Sequence, residues 1–384
     1  MAKIKVGVFV PYSGIYKNLK SDFLNGMDAA IPEALKKDII FQPEFIQTGS
    51  TKQVEDAFRK LVLFESVDVL TGIVGTGVLV NLIQSINTEK IPSIISNLGG
   101  YMPIESLSSP YLFYNGLNQW KSEWALGKWM QNKFSGIPAI GTHVYDTGYN
   151  LTECFRIGTV ASGADSCRLH VLKLEGLQGF ADTMPLVETF KHEQPSYAHV
   201  ILSGKEGTAF INNFYSDADT GLIPLSVSPF MVNDDELFDV GKSSLMINAI
   251  SWDYNIDNEE NIKFKKKYEL NFYDKPNVFS LLGYETGITE AAALDKINGG
   301  RINKEKLTEA LSNVDIKGPR GIMAMDTVNL NTPQPVYIRS ATINGNNQIK
   351  NEVIDIINGI EWNDKTLTSV REANHSWQNP YLCV

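Results

Sequence analysis

The hydrophobic pattern opens with an apolar run from Ile4 to Val10, interrupted only by Lys5 and Gly7. A polar loop, Pro11-Tyr12-Ser13-Gly14, follows. Apolar residues then recur at helical spacing, with Phe23, Met27 and Ile31 on one row and Leu24, Ala34 and Leu35 beside it. Strand, polar loop and helix make the first half of a βαβ unit. Ligands of open α/β sheets sit in the loops at the carboxyl ends of the strands, which makes Tyr12 and Ser13 candidate ligand contacts.

The rhythm repeats. Residues 39–46 read as a second strand, in which Pro43 suits an edge or a bulge. Ser50 and Gln53 have the spacing of a capping box, ahead of a helix whose apolar face is Val54, Ala57, Phe58, Leu61 and Val62. Strands are predicted over 67–74, ending in Gly75-Thr76-Gly77, and over 91–96, ending in Asn97-Leu98-Gly99-Gly100-Tyr101. A short strand over 111–114 reaches the turn Asn115-Gly116, and there the βα rhythm restarts. Trp120, Trp124 and Trp129 fall on a predicted helix, and the strand over 137–145 ends in Asp146-Thr147-Gly148-Tyr149.

Further strands are predicted over 169–174, 197–203, 223–227, 245–251, 336–343 and 349–357. Helices are predicted near 182–192, 205–215, 259–272, 278–297 and 303–312. Such alternation implies an α/β protein built on parallel, doubly wound sheets, in two runs. The polar tail, 361–384, carries Trp362 and Trp377 far apart and is expected to pack as an appendage.

Length supports two domains, since 384 residues exceed one ordinary core. A net charge of −10 makes nucleic acid and anionic membrane surfaces poor partners. No apolar run reaches the roughly 18 residues of a transmembrane helix. Met-Ala-Lys-Ile contains no apolar h-region, so the expectation is either a cytoplasmic protein or one whose leader is absent from this chain. Cys154, Cys167 and Cys383 are too few and too scattered for a disulfide framework or zinc knuckle; Cys154 and Cys167 either pair or stay as buried thiols.

Gly75-Thr76-Gly77 is the sharpest local signal. Bare N–H groups and a helix dipole at a strand-to-helix junction favour an anion, and Thr76 adds a donor. A dinucleotide fingerprint is disfavoured, because Val80 replaces the third glycine and the motif follows the third strand. A ligand carboxylate fits the same physics; so does a glycine-eased turn with no ligand. Asn97-Leu98-Gly99-Gly100 has the same character one strand later. Together with Tyr12-Ser13-Gly14 these loops place polar groups along one sheet edge.

Metal and catalytic readings fail. Asp253-x-Asn255-x-Asp257 starts like a calcium loop, but Asn258 stands at the turn glycine and Phe264 at the closing Glu. The five histidines form no HExxH pair, and surface or packing roles are expected for them. No nucleophile elbow, P-loop or Cys-x-x-Cys is present, so neither an enzyme nor a cofactor is predicted.

These elements resemble the type I periplasmic substrate-binding proteins of ABC importers, in the branch of the leucine/isoleucine/valine-binding protein. The resemblance runs from Lys3 to about Ile357. It rests on residues 4–14, Asn25-Gly26, residues 72–77 and 91–96, Val144-Tyr145-Asp146 with Tyr149, Gly283-Tyr284-Glu285 and Lys317-Gly318-Pro319-Arg320-Gly321. It implies two α/β lobes joined by three crossovers near 116–119, 251–254 and 329–333. Lobe one would comprise 1–117 and 252–330, and lobe two 118–251 and 331–384. A small ligand would bind between the lobes by hinge closure and be handed to an ABC permease, outside the cytoplasm; a ligand-sensing regulatory module of the same fold is the alternative.

The resemblance also implies site residues. Thr76 and Gly77, with Asn97, Gly99 and Tyr101, match the loops that hold a ligand's carboxylate and ammonium, and Tyr149 with Tyr145 matches the covering aromatic. An acidic residue that anchors the ammonium is expected after 223–227. Here that loop reads Ser228-Pro229-Phe230-Met231, with Asp234 and Asp235 only later. Tyr12, Tyr101, Tyr149 and Phe230 therefore suit an aromatic or flat organic acid as well as an amino acid.

Overall fold

The computed structural model describes residues 3–173, 181–233, 244–297, 303–323, 334–343, 347–359, 367, 368, 370 and 377–383. The chain begins with β1 (Ile4–Val10), α1 (Leu19–Ala30), α2 (Glu33–Lys36), β2 (Ile39–Phe45), α3 (Thr51–Arg59), β3 (Val69–Ile73), α4 (Thr76–Glu89), β4 (Ser93–Asn97) and β5 (Leu112–Gly116). It continues through α5 (Gln119–Phe134), β6 (Ala139–His143), α6 (Val144–Thr147), α7 (Leu151–Ala161), β7 (Arg168–Leu172), α8 (Met184–Glu193), β8 (Ala198–Ile201), α9 (Lys205–Ser216), β9 (Leu225–Val227) and β10 (Leu245–Ile250). Then come α10 (Glu259–Phe272), α11 (Val278–Lys296), α12 (Lys304–Ser312), β11 (Ile316–Gly318), β12 (Gly321–Met323), β13 (Val336–Ile343) and β14 (Ile349–Ile357).

Contacts divide the chain into two units. Unit 1 comprises Met1–Asn118, Trp252–Gln334 and Trp377–Val384; unit 2 comprises Gln119–Ser251 and Pro335–Ser376. The end of the tail thus departs from expectation. The resemblance puts it with lobe two, whereas its described residues, 377–383, pack in unit 1.

Unit 1 holds a five-stranded sheet in the order β2-β1-β3-β4-β5, parallel throughout. β1, β3, β4 and β5 are buried almost along their length, which is why they read as continuous apolar runs rather than alternating ones. Pro43 lies in the edge strand β2 opposite Val8, where a missing N–H breaks no ladder. The Ser50–Gln53 capping box forms at the start of α3. β11 and β12 pair as a small antiparallel hairpin around the Gly318–Gly321 turn.

Unit 2 holds a seven-stranded sheet, order β14-β13-β10-β9-β8-β6-β7. Its strands are parallel from β7 to β10, and β13 and β14 run antiparallel at the other edge. The strand predicted over 137–145 ends early, at His143, and Tyr145 belongs to the one-turn helix α6.

Each unit contains a pair of helices pressed together through glycines. In unit 1 a side-chain carbon on Gly26 of α1 would lie 2.1 Å from the Ser280 carbonyl oxygen, and one on Gly283 of α11 would lie 2.0 Å from that of Phe23. In unit 2 the equivalent positions are Gly127 of α5 against Phe155, and Gly158 of α7 against Trp124, each at 2.2 Å. Only glycine permits such approach of two backbones.

Candidate functional site

The carboxyl ends of β1, β3 and β4 lie side by side in unit 1, and they carry seven of the expected site residues. Tyr12 is half exposed, its backbone N–H donating to the Gln47 carbonyl. Ser13 is buried; its Oγ accepts from the Tyr16 N–H at 3.0 Å and donates to the Leu382 carbonyl at 2.6 Å. Thr76 opens α4 and is buried beside Tyr114, whose hydroxyl is pushed up to about 12 by burial against the opposing hydrogen bonds of Thr76 and Asn97. Gly77 follows on the same first turn.

Asn97 is committed to its own loop. Its Oδ1 accepts from the Gly99 N–H at 2.8 Å and from the Tyr114 hydroxyl at 2.5 Å, while Nδ2 donates to the Val74 carbonyl at 3.2 Å. These bonds hold the loops after β3 and β4 in one shape, and Gly99 takes a left-handed φ of 75° there. Tyr101 is buried. Its Oη accepts from the Trp377 N–H at 2.7 Å and donates to the Trp377 carbonyl at 3.0 Å, and burial pushes its hydroxyl up to about 12.

In unit 2, Tyr149 follows β6 and Phe230 follows β9, with β8 between those strands. Both side chains are buried. Tyr149 and Tyr145 meet edge to face, ring centres 5.5 Å apart and hydroxyls 3.0 Å apart. Phe230 lies in the helical turn Pro229–Met231. The described part of that loop bears no carboxylate, and Asp234 and Asp235 lie outside the described residues.

A set of buried polar side chains at the same strand ends escaped the sequence reading. Ser203 Oγ donates to Asp146 Oδ1 at 2.7 Å, after β8 and β6 respectively. Glu206 accepts the Ala181 N–H at 2.7 Å, and its other oxygen stands 3.7 Å from His143 Nδ1. Among the described residues, His143 Nε2 and Ser228 Oγ are buried without a hydrogen-bond partner. Buried polar atoms are almost always satisfied, so these two have capacity left for a ligand or water. The only signal in the sequence was their position just after apolar runs.

Ser226, His199 and Glu123 stand in the order of a hydrolytic triad, but His199 Nε2 and Glu123 Oε2 make no hydrogen bond. Ser226 Oγ is 2.9 Å from His199 Nδ1, and His199 Nε2 is 3.1 Å from Glu123 Oε2. All three are fully buried, and the imidazole stacks on Phe155 at 3.7 Å. A substrate cannot reach this serine; the constellation is core packing, as expected of the histidines.

Cys154, Cys167 and Cys383 are free thiols, so the alternative of a Cys154–Cys167 bridge is not realised. Among the described residues no cluster of His, Cys, Asp and Glu could hold a metal ion, and no helix is long and apolar enough to cross a membrane.

Residues 3–346 match the family model described as periplasmic binding protein. No curated protein sequence matches the chain. Among solved structures, an ABC transporter substrate-binding protein from Sphaerobacter thermophilus is similar at a TM-score of 0.79 and 19% identity, over 94% of this chain and 99% of that one. A solute-binding protein of an ABC transporter from Rhodopseudomonas palustris, in complex with 3,4-dihydroxybenzoic acid, gives 0.74 and 19%, again over 94% and 99%. A leucine-binding protein from Thermotoga maritima gives 0.68 and 14%, over 92% and 99%.

Proposed function

The chain belongs to the periplasmic binding protein family, and from that premise we propose that it captures a small carboxylic acid and delivers it to an ABC importer. It is a solute receptor, not an enzyme. Its place of work is the outer side of the cytoplasmic membrane, free in the periplasm or held by a lipid anchor.

The ligand class is a flat or aromatic acid in preference to an α-amino acid. The observation that carries this is the described part of the loop after β9, residues 228–233, where Ser228 and Phe230 stand and no carboxylate does. The buried carboxylates at the neighbouring strand ends, Asp146 and Glu206, already accept from Ser203 Oγ and the Ala181 N–H, so an ammonium there would lose its hydration and gain little in return. Phe230 and the Tyr145–Tyr149 pair offer ring faces and edges instead. His143 Nε2 and Ser228 Oγ supply the polar contacts, for a carboxylate or a ring hydroxyl. The relative that holds 3,4-dihydroxybenzoic acid supports the same class.

Thermal melting of the purified protein with 4-hydroxybenzoate, 3,4-dihydroxybenzoate and L-leucine tests the reading. The aromatic acids should raise the melting temperature and leucine should not, and Tyr149→Ala, His143→Leu or Thr76→Val should remove the shift. Stabilisation by leucine alone would sink it.

A further inference from the structure

The groups of unit 1 that were expected to hold a ligand are already held by the chain's own end. Tyr101 Oη binds both the N–H and the carbonyl of Trp377, at 2.7 and 3.0 Å. Ser13 Oγ is 2.6 Å from the Leu382 carbonyl oxygen. The Gln378 carbonyl presses on Gly75, where a side-chain carbon would come within 2.3 Å of it, and the Trp377 carbonyl lies 3.1 Å from the same position on Gly77. The Thr51 N–H, at the start of α3, donates to Gln378 Oε1 at 3.2 Å. One peptide segment therefore spans the loops after β1, β2 and β3 and reaches the Tyr101 loop after β4.

The chemistry of these contacts is that of a ligand carboxylate. Carbonyl oxygens carry partial negative charge: Ser13 Oγ and Tyr101 Oη donate to those of Leu382 and Trp377, and the Gln378 and Trp377 carbonyls pack on the N-cap Gly75 and on Gly77, at the N-terminus of α4. The glycines that seemed placed for a ligand are placed for a backbone. Within the segment the burial is graded. Tyr381, Leu382 and Cys383 are buried, whereas Trp377 and Asn379 are half-buried and Gln378 is exposed. The far end is an apolar anchor, and the part over Gly75–Gly77 is the part that can lift.

We infer that residues 377–383 form an autoinhibitory strap, a built-in stand-in that an incoming carboxylate must displace from Gly75–Gly77 and Tyr101. Displacement by a ligand rests on the ligand class proposed above; the strap itself does not. A strap closed most of the time leaves an apparent affinity reduced to the open fraction of its intrinsic value.

The test uses the 384-residue chain and its variant Leu382→Asp, which puts a charge into the buried anchor, with Tyr381→Asp as a second release. Amide exchange is measured first and needs no ligand. Release should speed exchange at residues 76–79 and 101 while β1 and β3 stay protected; unchanged exchange at those residues in both variants overturns the strap. Titration with 4-hydroxybenzoate follows. A dissociation constant lowered about tenfold in the released variants supports displacement; an equal or higher one overturns it and makes the segment a fixed wall. If 4-hydroxybenzoate binds no form, the proposed ligand class fails and amide exchange alone decides the strap.

Discussion

Arg320 and Glu285 form a buried ion pair that joins two distant motifs in unit 1. Arg320 Nε is 2.9 Å from Glu285 Oε1, and Nη2 is 2.5 Å from Oε2. The same guanidinium donates to Asn115 Oδ1 and to the Gly116 carbonyl, both at 2.8 Å. Arg320 thus ties the β11–β12 turn to α11 and to the end of β5, at the last residues before unit 2 begins.

Breaking that pair should be costly in a specific way. Arg320→Met leaves the Glu285 carboxylate buried without its cation, for a loss of about 3–5 kcal/mol. Arg320→Lys should recover little, since one ammonium cannot reproduce the fork that reaches Glu285, Asn115 and Gly116 together. Arg320→Met with Glu285→Leu should regain much of the stability, because the stranded charge is gone. Urea denaturation of the three variants measures this; a double variant no better than Arg320→Met would show that the pair's other bonds dominate.

The glycine-mediated helix crossings give a second prediction, made once in each unit. Gly283→Ala and Gly158→Ala each place a methyl about 2 Å from a backbone carbonyl oxygen, so the helices must move apart. Each should cost about 1–3 kcal/mol by overpacking. A surface control, Gly163→Ala, has open space but a φ of 96°, so any loss there reports backbone strain alone. Equal losses at all three positions would remove the close-packing explanation.

Much of the fold was legible because its signals are local. Buried parallel strands write continuous apolar runs, and each polar loop follows its own strand directly, so Ser13, Thr76 and Asn97 could be located from the sequence. Their partners could not. Tyr101 meets Trp377 across 276 positions, and nothing in the polar tail marks it as the segment that returns. Glu285 and Arg320 each stood out as family-like residues, yet their pairing depends on how α11 lies beside the β11–β12 hairpin. Tyr145 was misplaced for a local reason: α6 is a single turn, too short to show helical periodicity.

Ser226 gives a prediction of inertness. A fluorophosphonate probe should not label the native protein at Ser226, despite the 2.9 Å contact with His199, because the serine has no exposure. Intact mass after incubation checks this, and a native adduct at Ser226 would mean that the core opens to substrate. Glu123→Leu should instead destabilise the fold, since it removes the carboxylate that faces His199 Nε2 and accepts from Gln119 Nε2 at 3.0 Å.

Glu290 should make stability depend on pH. Its carboxyl is buried at an apolar cavity of about 10 Å³ lined by Ile4, Val6, Ile39, Val69, Ala293 and Leu307, a volume at the lower bound for one water. Neither oxygen has a hydrogen-bond partner among the described residues, and burial pushes the group up from 4.5 to about 8. The folded state therefore holds this proton while the unfolded chain has released it. Stability linked to the group is fully present below pH 4.5, declines as pH rises, and is lost once pH passes about 8. A shift of this size corresponds to roughly 4–5 kcal/mol across the window. Glu290→Gln should flatten that dependence, and Glu290→Met should flatten it and also raise stability at pH 8 by filling the apolar surround without a charge. Urea melts of wild type and both variants at pH 5, 7 and 9 decide the matter: a wild-type stability loss between pH 5 and 9 that both variants retain would assign it to another group.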